Sequence, residues 1–110
     1  MPGVDDAEPE SDILPAALSK AAATKVIRDL GANADNIVAI PHCIKRMARR
    51  KISITQIRRV VQAGFVDGDP WFDIEHSSWR VTMRGFSAGT QITIGVAIDW
   101  KTRLLVVTVF

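Results

Sequence analysis

The sequence predicts an α+β domain in which N-terminal helices pack on one face of a roughly four-stranded antiparallel sheet. Two observations carry this expectation. Up to Gly64 the apolar residues recur at helical spacing between recognisable start and stop signals, and from Phe65 onward they alternate with polar residues at a period of two. A chain that supplies its helices first and its strands as one later run builds this layer arrangement. A third observation bounds the size. With 110 residues, 47% of them hydrophobic, the chain can bury one core without disulfides or a structural metal, so a single domain is expected.

Residues 1–12 hold Pro2, Gly3, Pro9 and five acids with almost nothing to bury, which predicts a disordered acidic tail. The domain then runs over 13–110, beginning with a helical extension over 13–36. Its helix is predicted from Pro15 to Leu30: the stretch is Ala-rich, Pro15 suits a first turn, and Gly31 suits a left-handed residue after the last one. Leu18, Ala22, Val26 and Leu30 form its expected apolar stripe. Asn36 to Ile40 is a short β-prone run stopped by Pro41, where a second helix starts and continues to about Arg50. The third helix follows Ser53, which can form a capping box with Gln56, and ends at Gly64. Its inward face is Ile54, Ile57, Val60 and Val61.

In the second half, Trp79, Val81 and Met83 alternate with Arg80, Thr82 and Arg84, and Ile92, Ile94, Val96 and Ile98 alternate with smaller or polar residues. Arg103 to Phe110 is apolar at both alternating positions, which predicts a strand covered on both sides. Turns at Gly85–Gly89 and Asp99–Thr102 make consecutive antiparallel hairpins. A fourth strand is expected within Trp71–His76, after the Asp67-Gly68-Asp69-Pro70 turn.

The net charge of +2 conceals a segregation: residues 1–35 sum to −4, 36–64 to +7 without one acid, and 65–110 to −1. Such a cationic block concentrates anions, which makes phosphate-bearing ligands the natural partners. The lone Cys43 cannot form an intrachain disulfide, and no secretory leader pattern is visible, so a reducing, cytoplasmic setting is expected. No apolar run approaches the roughly 20 residues of a membrane span. No cofactor is expected, since there is no Gly-rich phosphate loop, and no metal, since His42, Cys43 and His76 lack the spacing of zinc ligands.

The concentrated chemical signal is His42-Cys43-Ile44-Lys45-Arg46-Met47-Ala48-Arg49-Arg50. At 100° per residue, His42, Lys45, Arg46 and Arg49 share one band, while Cys43, Ile44, Met47 and Ala48 take the opposite side. A solvated face is the ordinary explanation of charge on a helix, but such faces mix signs, and this one has no carboxylate to pair with its arginines. A neutral imidazole at His42 could take a proton from a hydroxyl while the neighbouring guanidiniums hold a phosphate, the division of labour required for RNA transesterification. A structural His within the helix turn is the alternative. Arg80 and Arg84, on one strand face with Thr82, could clamp successive phosphates or simply form a water-facing edge. Trp71, Trp79 and Trp100 could stack bases, although core or hairpin cover is the commoner use.

The run from Pro41 to Ser53, the helix ending at Gly64 and the closing Leu105-Val106-Val107-Thr108-Val109-Phe110 resemble the domain-of-unknown-function family 4258, over about residues 37–110. The shared pattern is a His followed four residues later by Arg-Met, another Arg three further on, an Ile-Ser helix entry and a final Val-Thr-Val strand. Cys43 stands where a small residue such as Ala is the expected neighbour of the His, and the segment before residue 37 is not accounted for by the pattern. The resemblance implies a fold similar to metal-independent RNA-cleaving toxins of the RelE and barnase/EndoU type, with RNA as substrate and a neutralising protein as partner. His42, Arg46, Arg49 and Thr108 are the positions that match the family's motif, and the resemblance implies a catalytic role for them; Lys45, Arg80 and Arg84 are the expected substrate-binding residues from their charge and placement. A non-catalytic RNA- or protein-binding module of the same fold is the alternative.

Overall fold

The computed structural model of the chain describes residues 13–110, so the acidic tail assigned to 1–12 lies outside the described residues. Three α-helices, α1 (Lys20–Gly31), α2 (Pro41–Arg50) and α3 (Ile54–Ala63), accompany six strands: β1 (Ile37–Ala39), β2 (Phe65–Val66), β3 (Trp71–Asp73), β4 (Ser78–Ser87), β5 (Thr90–Asp99) and β6 (Arg103–Val109). The α+β class therefore holds, with a sheet larger than predicted.

α1 starts five residues later than expected. Ser19, with extended backbone, accepts a hydrogen bond from the amide of Ala22 at 3.0 Å and so caps the helix. Pro15 stays outside it, where its carbonyl accepts from the indole Nε1 of Trp79 at 3.1 Å. The buried positions of α1 are accordingly Ala23, Val26, Ile27 and Gly31, about one residue round from the stripe predicted through Ala22 and Leu30. Gly31 is not a left-handed stop. A Cβ there would lie 2.8 Å from Val61 Cγ1, so the glycine lets α1 approach α3. Arg28 locks that approach by donating to the carbonyls of Gln62 (3.0 Å) and Gly64 (2.6 Å), the otherwise unpaired end of α3.

α2 and α3 match the sequence reading closely. Pro41 occupies the first turn of α2, and Lys51 closes it in the left-handed conformation at φ 57°. Ser53 and Gln56 form the reciprocal capping box of α3. Gly64 ends α3 with φ −80°, and it is glycine for a steric reason: a Cβ would stand 2.5 Å from the Val60 carbonyl oxygen and 2.6 Å from that of Arg84.

Among the described residues the sheet has six strands in the order β1-β6-β5-β4-β2, with β3 also paired to β4. The roughly four antiparallel strands are present, but β2 and β3 lie along successive parts of one edge of β4, and β1 joins β6 in parallel. The sheet is mixed because the chain leaves β1 through α2 and α3 and returns to its side only with β6, after four other strands are in place.

Helices α1, α2 and α3 pack against the strands on the side of Trp79, Val81 and Met83, where Ile92, Ile94, Val96, Ile98 and Leu104 complete the core. The other face carries Arg80, Thr82 and Arg84 and, on the strands paired with them, Phe65, Trp71, Ala97, Gly95 and Thr93. Here β6 departs from expectation. It is not covered on both sides; a bulge does the work instead, with Val96 opposite Val106 and Gly95 opposite Thr108. The extra residue shifts the alternation, so Leu104, Val106 and Val109 are buried while Leu105, Val107 and Thr108 stay half-exposed.

Candidate functional site

α2 is held by two side chains. Cys43 and Met47, 40° apart on the helix, enter the core, whereas Ile44 and Ala48, expected to join them, are exposed. The core-facing side is thus narrower than the sequence pattern indicated. Burial pushes the Cys43 thiol above its ordinary value by desolvation, consistent with a packing role.

Arg46 sits at the border of the buried stripe. Its Nε donates to the carbonyl of Val109 at 2.8 Å, tying α2 to the bulged end of β6. Thr108 Oγ1 donates a long hydrogen bond of 3.5 Å to the same carbonyl. Two of the predicted site residues, 62 positions apart in sequence, therefore converge on one backbone oxygen. His42, one helical turn before Arg46, is exposed together with Lys45 and Arg49. None of these three side chains forms a hydrogen bond or ion pair among the described residues.

Arg80 and Arg84 do share the helix-free face, but each already holds a carboxylate. Arg84 donates through Nε and Nη2 to Asp67 Oδ2 at 2.9 and 2.5 Å. Arg80 Nη2 is 2.8 Å from Asp73 Oδ2, and its guanidinium lies 5.7 Å from the centre of the Trp71 ring. His76 Nδ1 meets the same Asp73 oxygen at 2.8 Å. The hydrogen bond from His76 chiefly, with smaller help from the charge of Arg80, holds the Asp73 carboxyl below the usual carboxylate range.

This Asp73–His76–Arg80 cluster was not singled out in the sequence. The signal was the i,i+3 spacing of Asp73 and His76 in a tight turn, followed by a strand that brings Arg80 opposite Trp71. Asp73, Glu75 and His76 also bring ligand atoms within 4.8 Å of one another, a grouping their separation from Cys43 and His42 did not suggest. Asp73 Oδ2 there already serves Arg80 and His76, so a cation would compete with a guanidinium already in place.

Beside the cluster a groove of about 510 Å³ crosses the helix-free face. Its floor is Ile40, Ala97, Leu105 and Val107. Its rim at the far end is His76, Ser77, Ser78 and Arg80, and Leu14, from the segment ahead of α1, also lines it.

The fold and this geometry define a small α+β domain with an acid-free basic helix docked on its last strand and an open groove on the other face of the sheet. Residues 41–110 match the family described as Domain of unknown function (DUF4258), and the chain belongs to that family. The matched segment starts at Pro41, the first residue of α2, and ends with β6, so it contains every residue of the predicted site. No curated protein and no solved structure matches the chain. Among the described residues no helix is long and apolar enough to cross a membrane.

Proposed function

We propose that this domain cleaves RNA without a metal, in the manner of the RelE and barnase/EndoU-type toxins, with the exposed face of α2 as its phosphate site. The observation that carries the reading is the unpartnered row His42, Lys45 and Arg49 on a helix that Arg46 fastens to the strand bearing Thr108. Unpaired cations on a fixed scaffold keep their full attraction for an anion, whereas Arg80 and Arg84 have theirs neutralised in part by Asp73 and Asp67.

In this reading His42 takes the proton of a ribose 2′-hydroxyl as its oxygen attacks the adjacent phosphorus. Lys45, Arg49 and the terminal nitrogens of Arg46 stabilise the charge on the phosphorane, and the P–O5′ bond breaks as O5′ takes a proton from water, leaving a 2′,3′-cyclic phosphate and a 5′-hydroxyl while His42 gives its proton back to solvent. Thr108 hydrogen-bonds at the edge of the site. A toxin of this kind is held in check by a neutralising protein that covers α2.

A second reading, RNA binding without cleavage, is favoured by one specific observation: the other histidine, His76, is bound to Asp73 on the β3–β4 turn and lies on a different strand pair from α2. The two separate on incubation of purified protein with total RNA in EDTA. Cleavage that leaves cyclic phosphate ends and falls about 100-fold or more in His42→Ala supports the first. Binding that weakens with salt, with no cleavage from pH 5 to about pH 8, refutes the first and supports the second.

A further inference from the structure

The large apolar side chains left exposed among the described residues are unevenly placed. The helices contribute only Ile44, whereas Phe65, Trp71, Phe86 and Phe110, each more than half exposed, stand on the helix-free face of the sheet. Phe110 belongs there because its ring lies 3.7 Å from where a Cβ on Gly95 would stand. Strand register sets these residues in rows. One row runs Phe65, Arg84 and Thr93 to Phe110, whose amide donates to the Thr93 carbonyl at 2.9 Å. Another runs Trp71, Arg80, Ala97, Leu105 and Val38. Between them lie the smaller Thr82, Gly95 and Thr108.

The arginines of this face are neutralised from within it: Arg80 holds Asp73, Arg84 holds Asp67 and Arg103 holds Asp99. A polyanion gains little from cations already paired, so the face does not suit one. It does suit its own copy. A twofold interface sets a patch against itself, where a patch of one sign repels its partner and an internally paired, apolar one does not. The unpaired cations of α2 lie on the other side of the sheet, so pairing through the helix-free face keeps the two basic rows apart.

The size also fits. From β1 to β2 the sheet has five strands in succession, and β4 and β5 have 10 residues each. That is about 19 Å by about 33 Å, or about 600 Å² in plan, and side chains standing out of the plane raise the accessible area towards the roughly 800 Å² each partner gives to a standard interface.

We infer that two copies of this chain pair through their helix-free faces, sheet against sheet about a twofold axis, with large residues of one copy seated on the low row of the other. The inference does not depend on α2 acting on RNA.

Sedimentation equilibrium of the full chain tests it. The mass rises from one chain to two between about 1 μM and about 500 μM, the weak end for an interface of this area. Phe86→Glu and, independently, Trp71→Glu raise the dissociation constant about tenfold or more, because each puts an unpaired carboxylate into the contact. Ile44→Glu, on α2, leaves it unchanged, and circular dichroism checks that all three variants fold. A chain that stays monomeric over the whole range overturns the inference. So does a dimer that Ile44→Glu breaks and both sheet variants keep, which would place the contact on α2. A monomer whose Phe65 and Trp71 amides shift on adding a uridine oligonucleotide assigns the face to RNA and overturns it equally.

Discussion

Arg46→Met separates the two roles that converge on α2. Methionine keeps an aliphatic stem against the sheet and removes the guanidinium, so the Val109 carbonyl loses its donor at 2.8 Å. A hydrogen bond from a charged group contributes about 1.5–3 kcal/mol. Arg46 is half-exposed and water can reach the vacated oxygen, which lowers the expected loss to about 1–2 kcal/mol. For a domain near 100 residues that corresponds to a fall in Tm of about 4–16 °C. Arg49→Met, on the exposed side of the same helix with no partner to lose, stays within about 0.5 kcal/mol of the wild type. Urea unfolding of the three proteins, followed by circular dichroism, reads both numbers. If Arg46→Met and Arg49→Met shift the midpoint equally, the tie between α2 and β6 is not a structural fastening and the docking argument fails.

Gly64→Ala destabilises by about 2–3 kcal/mol, because its Cβ would press on two backbone oxygens that cannot rotate away; thermal melting checks this, and a shift under about 1 kcal/mol would show that the α3–β4 crossing yields. Cys43 is fully buried with its thiol pushed up, so Ellman's reagent labels it only at the rate of unfolding; rapid labelling of the folded protein would contradict the packing of α2. Asp73, with its folded-state pKa held down, binds fewer protons folded than unfolded. The stability it adds is present above the ordinary carboxylate range and is lost as pH falls through the lower folded value. The stability difference between wild type and Asp73→Asn therefore shrinks as pH falls below the ordinary carboxylate range, and a difference that stays constant from neutrality down would refute the His76–Asp73 bond.

α2 and α3 were readable because their signals are local: Pro41 in a first turn, and Ser53 with Gln56 three residues on. The start of α1 is ambiguous in the sequence because Pro15 and Ser19 are both good openers, and what decides between them is Trp79, 64 residues away, which takes the Pro15 carbonyl. Gly31 and Gly64 look like stops in sequence but are close approaches in space, a distinction that requires knowing Val61 and Arg84 are neighbours. The parallel strand β1 has three residues and no pattern of its own; its partner β6 is set by topology. The basic face of α2 was legible from periodicity, while the Asp73–His76–Arg80 cluster depends on hairpin register and was not.

The distribution of carboxylates favours a working α2 face over a merely solvated one. Asp67 pairs with Arg84, Asp73 with Arg80, Asp99 with Arg103 and Asp29 with Lys25, so the ion pairs of the described residues settle on the sheet and on α1. None reaches α2, although it carries the densest charge in the chain. A face kept only for solubility tolerates mixed signs, which would lower repulsion among Lys45, Arg49 and Arg50. Leaving these cations unpaired keeps a repulsive cost in the free protein, and a bound polyanion relieves it. The bulge in β6 completes the arrangement: by turning Val109 inward it brings the Val109 carbonyl to Arg46 and leaves Thr108 beside it and Val107 in the groove. One extra residue in a strand thus lets Val106 and Val109 both face the core, with Val107 and Thr108 together on the half-exposed side between them.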